Sequence, residues 1–99
     1  IDCSGLAQLV HRLAGYNLPR DADMQFDAGR EVKEPFQPGD LLFFGGESAT
    51  RKVTHVGISL GGWRMIHSSR ARNGVYEDDV QAVAHLRDSF AGARTFLER

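Results

Sequence analysis

The chain is poor in cysteine: Cys3 is the single one among 99 residues. An internal disulfide is therefore excluded, and so is a zinc site built on several thiolates. Proline is scarce, and Pro19, Pro35 and Pro38 each mark a break between patterned segments. No apolar run approaches the roughly 18 residues of a membrane span, and no signal-peptide pattern opens the chain. A surplus of charge of one sign is also missing. Twelve basic residues against 13 acidic give a net charge of −1, which removes the electrostatic case for nucleic acid or an anionic membrane surface. Repeats and low-complexity tracts are absent.

What is present fits one domain over residues 1–99. A chain of this size buries roughly two-thirds of its unfolded surface. Residues 3–14 carry Leu6, Leu9, Val10 and Leu13 at helical spacing, with Asp2 as N-cap and Gly15 as stop. A loop through Pro19 leads to a second helix from about Asp21 to Ala28, ending at Gly29. From Pro38 the character changes. Leu41 to Phe44 is a short apolar run that suits a buried strand, followed by a polar loop over 47–52. Val53 to Leu60 and Trp63 to Ser68 form strands joined by Gly61-Gly62, a hairpin signal. Gly74 to Val80 reads as another strand, His85 to Phe90 as a turn or short helix, and Ala93 to Leu97 as a closing strand. Helices first and an antiparallel meander after them make the class α+β.

The chemistry centres on Cys3. A helix start is where a thiol loses its proton most easily, because the dipole and the free N–H groups of the first turn stabilise a thiolate. The same N–H groups, that of Cys3 included, can bind an oxyanion. A lone cysteine is often just a small buried hydrophobe, but Asp2, Ser4 and Gly5 are not core residues, and Gly5 leaves space for a ligand backbone. His55 lies in a strand whose Val56, Ile58 and Leu60 share one face. It points the other way, beside Gly57 and Ser59, where small neighbours leave room for substrate. His67 follows twelve positions later and falls close to position 55 or 56 across the hairpin. There it can hold one ring nitrogen of His55 and leave the other for the thiol, the orienting role in a triad. His11 and His85 read as structural or solvent-facing. Cys3 with the histidines lacks the ligand spacing of a compact zinc site, and the Gly45-Gly46 and Gly61-Gly62 pairs match no phosphate loop. No metal or organic cofactor is expected.

Four segments, Asp2-Cys3-Ser4-Gly5-Leu6, Pro38-Gly39-Asp40-Leu41-Leu42-Phe43-Phe44, Thr54-His55-Val56-Gly57-Ile58 and Met65-Ile66-His67-Ser68-Ser69, together resemble the NlpC family of bacterial cell-wall cysteine peptidases. The resemblance covers essentially the whole chain. It implies a papain-like α+β fold, with Cys3 as nucleophile, His55 as base and His67 orienting His55. The thiolate is expected to pair with a His55 imidazolium. Family members cleave peptidoglycan stem peptides, often between D-glutamate and the following diamino acid. The Arg20-Asp21 loop and the Phe90-Ala91-Gly92-Ala93-Arg94 segment are similar to the branch acting on stems with a free N-terminal L-alanine. In that branch the residues flanking the cysteine hold the substrate amine, roles that would fall to Asp2 and Ser4, with Arg20 and Asp21 beside them.

The sequence also departs from the family. Ala22 stands where relatives often carry a serine, and the Tyr/Trp-rich segment that precedes the Asp-Cys motif in relatives is absent. A piece of a longer protein is therefore expected, with upstream modules, acting in the cell envelope, outside the cell or in cytoplasmic recycling of stem peptides. Two other readings stay open: a wall-binding module without catalysis, and an amidase or acyltransferase using the same three residues.

Overall fold

Asp2 starts the first helix, α1 (Cys3–Leu13). Its backbone is extended, and its Oδ1 accepts the N–H of Gly5 at 2.7 Å, satisfying one of the donors a helix leaves open at its start. After Ala14, Gly15 turns the chain away at φ 92°, a left-handed conformation that suits glycine. The structure is a computed structural model, and it describes residues 1–45, 53–69 and 72–98. The second helix, α2 (Ala22–Ala28), follows an extended Asp21 and stops at Gly29.

Six strands form one antiparallel sheet: β1 (Arg30–Val32), β2 (Leu41–Gly45), β3 (Val53–Gly61), β4 (Arg64–Ser69), β5 (Gly74–Asp79) and β6 (Phe90–Thr95), in the order β1-β6-β2-β3-β4-β5. A short 3-10 turn (Val80–Ala82) and a third helix, α3 (Ala84–Ser89), lie between β5 and β6.

The central strand β2 is buried along its whole length, so alternate side chains feed two cores. Leu41 and Phe43 join Ala7, Leu18, Ala22, Val56 and Ile58 under α1 and α2. Leu42 and Phe44 join Phe36, Met65, Val80 and Leu86 on the other side. The expected arrangement, N-terminal helices packed on an antiparallel sheet, is the one observed.

Several details differ from the sequence reading. The face α1 buries holds Ser4, Ala7 and His11, while Leu9, Val10 and Leu13 are exposed. Of the apolar period only Leu6 packs against the core, so the period marks the helix better than its packing face. His11 is buried, the structural one of the two readings left open for it. Strand β1 was not expected. Its three residues carry no period, and it exists through pairing of Arg30 with Thr95 and Val32 with Ala93. Strand β6 begins at Phe90 rather than Ala93, since Phe90 pairs with Phe44.

The hairpin turn falls where the glycines predict it. Gly61 and Gly62 both have positive φ, and Ser59 Oγ fastens the turn by accepting from Gly61 N and donating to Gly62 O. The polar loop expected over 47–52 lies outside the described residues. Among the described residues no helix is long and apolar enough to cross a membrane.

Candidate active site

Cys3 opens α1, half-buried, with Sγ 4.0 Å from the carbonyl oxygen of Thr54, the neighbour of His55. The first turn that carries it is tied to three other parts of the chain. Arg20 donates from Nη2 to Asp2 Oδ2 at 2.8 Å and from Nη1 to Ser4 Oγ at 2.9 Å. Gln25, on α2 and fully buried, donates from Nε2 to the carbonyls of Ser4 (3.2 Å) and Pro19 (2.8 Å). Ser68 Oγ, on β4, donates to the carbonyl of Ile1. The hydrogen bond from Arg20, and then that from Gly5 N–H, hold the Asp2 carboxyl below its ordinary range.

Gly5 has a different reason from the one its sequence context suggests. A Cβ there would lie 2.6 Å from Asp2 Oδ1 and 3.7 Å from Arg20 Nη1. The space is used by the cap and its ion pair, not kept for a ligand.

The two histidines meet across the hairpin. His55 Nε2 and His67 Nδ1 are 2.8 Å apart, a hydrogen bond whose direction depends on the tautomers. The pairing of Ser59 with Met65 and Ile58 with Ile66 sets this register. Gly57 makes it possible: a Cβ there would collide with Met65 Sδ and sit 3.3 Å from His67 Cβ. His67 is 4% exposed, so it stands behind His55 rather than in the open.

Burial, then the nearby His67 and His85, push His55 down to about 4. Its imidazole is therefore neutral at neutral pH, which replaces the imidazolium expected from the sequence. His85 itself is exposed.

Behind His67 stands a residue that the sequence reading missed. His67 Nε2 lies 2.7 Å from Asp78 Oδ2, and Asp78 is ion-paired with Arg72. Burial pushes the Asp78 carboxyl up, but the hydrogen bond from His67 and the charge of Arg72 outweigh it and leave the group below its ordinary value. Asp78 follows His67 by eleven positions in a strand with no motif. Only the register of β4 against β5, which pairs His67 with Tyr76 and Met65 with Asp78, brings it near.

Cys3, His55, Asp2, Ser4 and Asp21 line one open cleft of about 1200 Å³. His67 and Arg20 are not among its described walls. Ser69, from one of the four motif segments, and Asp23, Met24, Asn73 and Val75, which carried no signal in the sequence, complete much of the wall. Among the described residues lining the cleft there are three carboxylates, Asp2, Asp21 and Asp23, and no Lys or Arg.

The NlpC/P60 family model matches residues 1–95. The chain belongs to the NlpC/P60 family. A gamma-D-glutamyl-L-lysine dipeptidyl-peptidase of Bacillus subtilis is 39% identical over 98 residues, covering 98% of this chain and 33% of that protein. A gamma-D-glutamyl-L-lysine dipeptidyl-peptidase of Bacillus cereus is 36% identical over 97 residues, covering 97% of this chain and 29% of its own length. The crystal structure of an NlpC/P60 family protein from Bacillus cereus superposes with a TM-score of 0.89 at 33% identity, over 99% of this chain and 32% of the other. This NlpC/P60 chain thus spans about a third of the length of the curated relatives it matches.

Proposed function

We propose that residues 1–99 form the catalytic domain of a cysteine peptidase that hydrolyses the γ-D-glutamyl–diamino acid bond of peptidoglycan stem peptides, in the cell envelope or outside the cell. The observation that carries the reading is the placement of Cys3, at the start of a capped helix, in one cleft with a neutral His55 that is hydrogen-bonded to His67. The names of the Bacillus relatives supply the bond.

In this mechanism His55 takes the proton of the Cys3 thiol as the sulfur attacks the γ-carbonyl carbon. The developing oxyanion faces the start of α1. There Asp2 already holds the N–H groups of Gly5 and Leu6 through its side chain and carbonyl. The N–H groups of Cys3 and Ser4 belong to the same first turn, whose donors have no partner within the helix. His55 then gives its proton to the leaving amine, and the acyl group stays on sulfur as a thioester. Water, losing a proton to His55, attacks the thioester, the proton returns to sulfur, and the carboxylic acid product leaves and ionises in solution.

The acidic wall suits a substrate that brings ammonium groups. Asp2 is the residue we assign to the amine of the terminal L-alanine. Arg20 holds Asp2 and Ser4 in place, and Asp21 extends the negative wall. No step requires a metal or an organic cofactor.

The test is mass spectrometry of products from L-Ala-γ-D-Glu-L-Lys, its diaminopimelate counterpart, the N-acetylated peptide and the α-linked isomer. Release of L-Ala-D-Glu from the first two, with the acetylated and α-linked peptides poor substrates, is the expected result. Cleavage at another bond, or equal turnover of the acetylated peptide, would overturn the substrate assignment.

A further inference from the structure

We propose that Asp78 is a positioning residue that fixes the tautomers of both histidines, through the chain Asp78–His67–His55. The proposal deepens the reading above and rests on it only for its kinetic arm.

An ionised carboxylate can only accept hydrogen bonds. Asp78 Oδ2 lies 2.7 Å from His67 Nε2, so the proton of His67 sits on Nε2. The ion pair with Arg72 keeps the carboxylate charged and fixes its position on β5. With its proton on Nε2, a neutral His67 has a lone pair on Nδ1. That lone pair faces His55 Nε2 at 2.8 Å, so His55 must be the donor, with its own proton on Nε2. The nitrogen left unprotonated on His55 is Nδ1, the atom able to take a proton from Cys3. One half-buried carboxylate thereby selects one protonation pattern out of the four that two neutral imidazoles could adopt. Without it, His67 can turn its proton toward His55. His55 then accepts at Nε2 and carries its proton on Nδ1, the wrong nitrogen for a base. A misplaced histidine tautomer is among the costlier faults a catalytic base can have.

His11 offers a contrast within the same molecule. Its Nδ1 lies 2.9 Å from the Ala7 carbonyl, an acceptor only, so its proton sits on Nδ1.

The experiment is long-range proton–nitrogen NMR on the protein labelled with nitrogen-15 histidine at neutral pH, with Asp78→Ala and Asp78→Asn beside the wild type. The expected wild-type pattern is Nε2–H for His55 and His67 and Nδ1–H for His11. In Asp78→Ala both active-site histidines lose the pure Nε2–H pattern while His11 keeps its own. The turnover number falls by about 10- to 100-fold, with KM within about twofold. In Asp78→Asn the amide can accept from Nε2–H through its oxygen or donate to Nε2 through its NH2, so the pure Nε2–H pattern weakens and turnover falls less than in Asp78→Ala. Pure Nε2–H signals retained in Asp78→Ala, or an Nδ1–H tautomer of His55 in the wild type, would overturn the proposal. If Asp78→Ala does not fold, the wild-type and Asp78→Asn patterns decide it alone. The tautomers are read without substrate, so a protein that shows them but cleaves no stem peptide would refute the peptidase reading and leave this one standing.

Discussion

His55 is the base of the proposed mechanism, and its environment makes a definite statement about pH. Burial holds its imidazole down to about 4, so it remains a base well below the ordinary histidine value of about 6.5. The acid limb of kcat/KM, which reports the free enzyme's essential base, is expected to fall near pH 4; a limb at or above 6.5 would contradict the assignment. His55→Ala should lower kcat by about 10²- to 10⁴-fold, and His67→Ala by less, since His67 moves no proton of the substrate. Gly57→Ala gives an independent check. The new methyl group has no place between Met65 and His67, so the His55–His67 bond breaks and activity falls in a protein that still folds. At this scale the sequence was informative wherever a residue type carries chemistry within a short motif, as at Cys3, His55 and His67. Asp78 carried no such mark, because its role depends on strand register across a hairpin.

Among the elements, α1 and its supports decide where the thiol sits. Gln25 links α2 to the carbonyls of Ser4 and Pro19, from a position with no exposure. Gln25→Ala should destabilise the domain by about 2–3 kcal/mol, through a cavity and stranded carbonyls, measured as a drop in urea midpoint at unchanged m-value. An effect below about 0.5 kcal/mol would mean that α1 is positioned by its packing alone. Helix existence was legible from the period of Leu6, Leu9, Val10 and Leu13 and from the Asp2 cap. The packing face was not, because Ser4 and His11 are polar and Ala7 is small, so the buried side carries a weak apolar signal. Strand β2 was legible as an unbroken apolar run since both its faces are covered. Strand β1 was not, because its pairing with β6 is its only reason to be extended.

For the whole molecule, the titrating groups predict how stability follows acid. His11, buried beside Tyr16 and Phe96, and His55 are both held below the ordinary histidine value, first of all by burial. The unfolded chain therefore binds protons before the folded one does. Their contribution is fully present above about pH 6.5 and is lost as pH falls through the folded values. Asp2 and Asp78, held low by their partners, contribute above their unfolded value of 3.8 and lose that contribution below it. The melting temperature should be flat from pH 8 to 7 and fall steadily toward pH 4. His11→Leu should reduce that slope, and an unchanged slope would remove His11 from the account. The class and the order of the elements other than β1 and the 3-10 turn were readable because local motif and global fold agree. The cleft wall, with Asp23, Asn73 and Val75, comes from segments that meet only after folding.

The most direct measurement of the central claim is turnover of L-Ala-γ-D-Glu-L-Lys by the wild-type chain and by Cys3→Ala, followed by mass spectrometry, with folding of both checked by their NMR spectra. The wild type is expected to release L-Ala-D-Glu, and a folded Cys3→Ala protein to release none above background. Release by Cys3→Ala at a rate near the parent's would contradict that claim, since no other residue here is assigned to form the thioester.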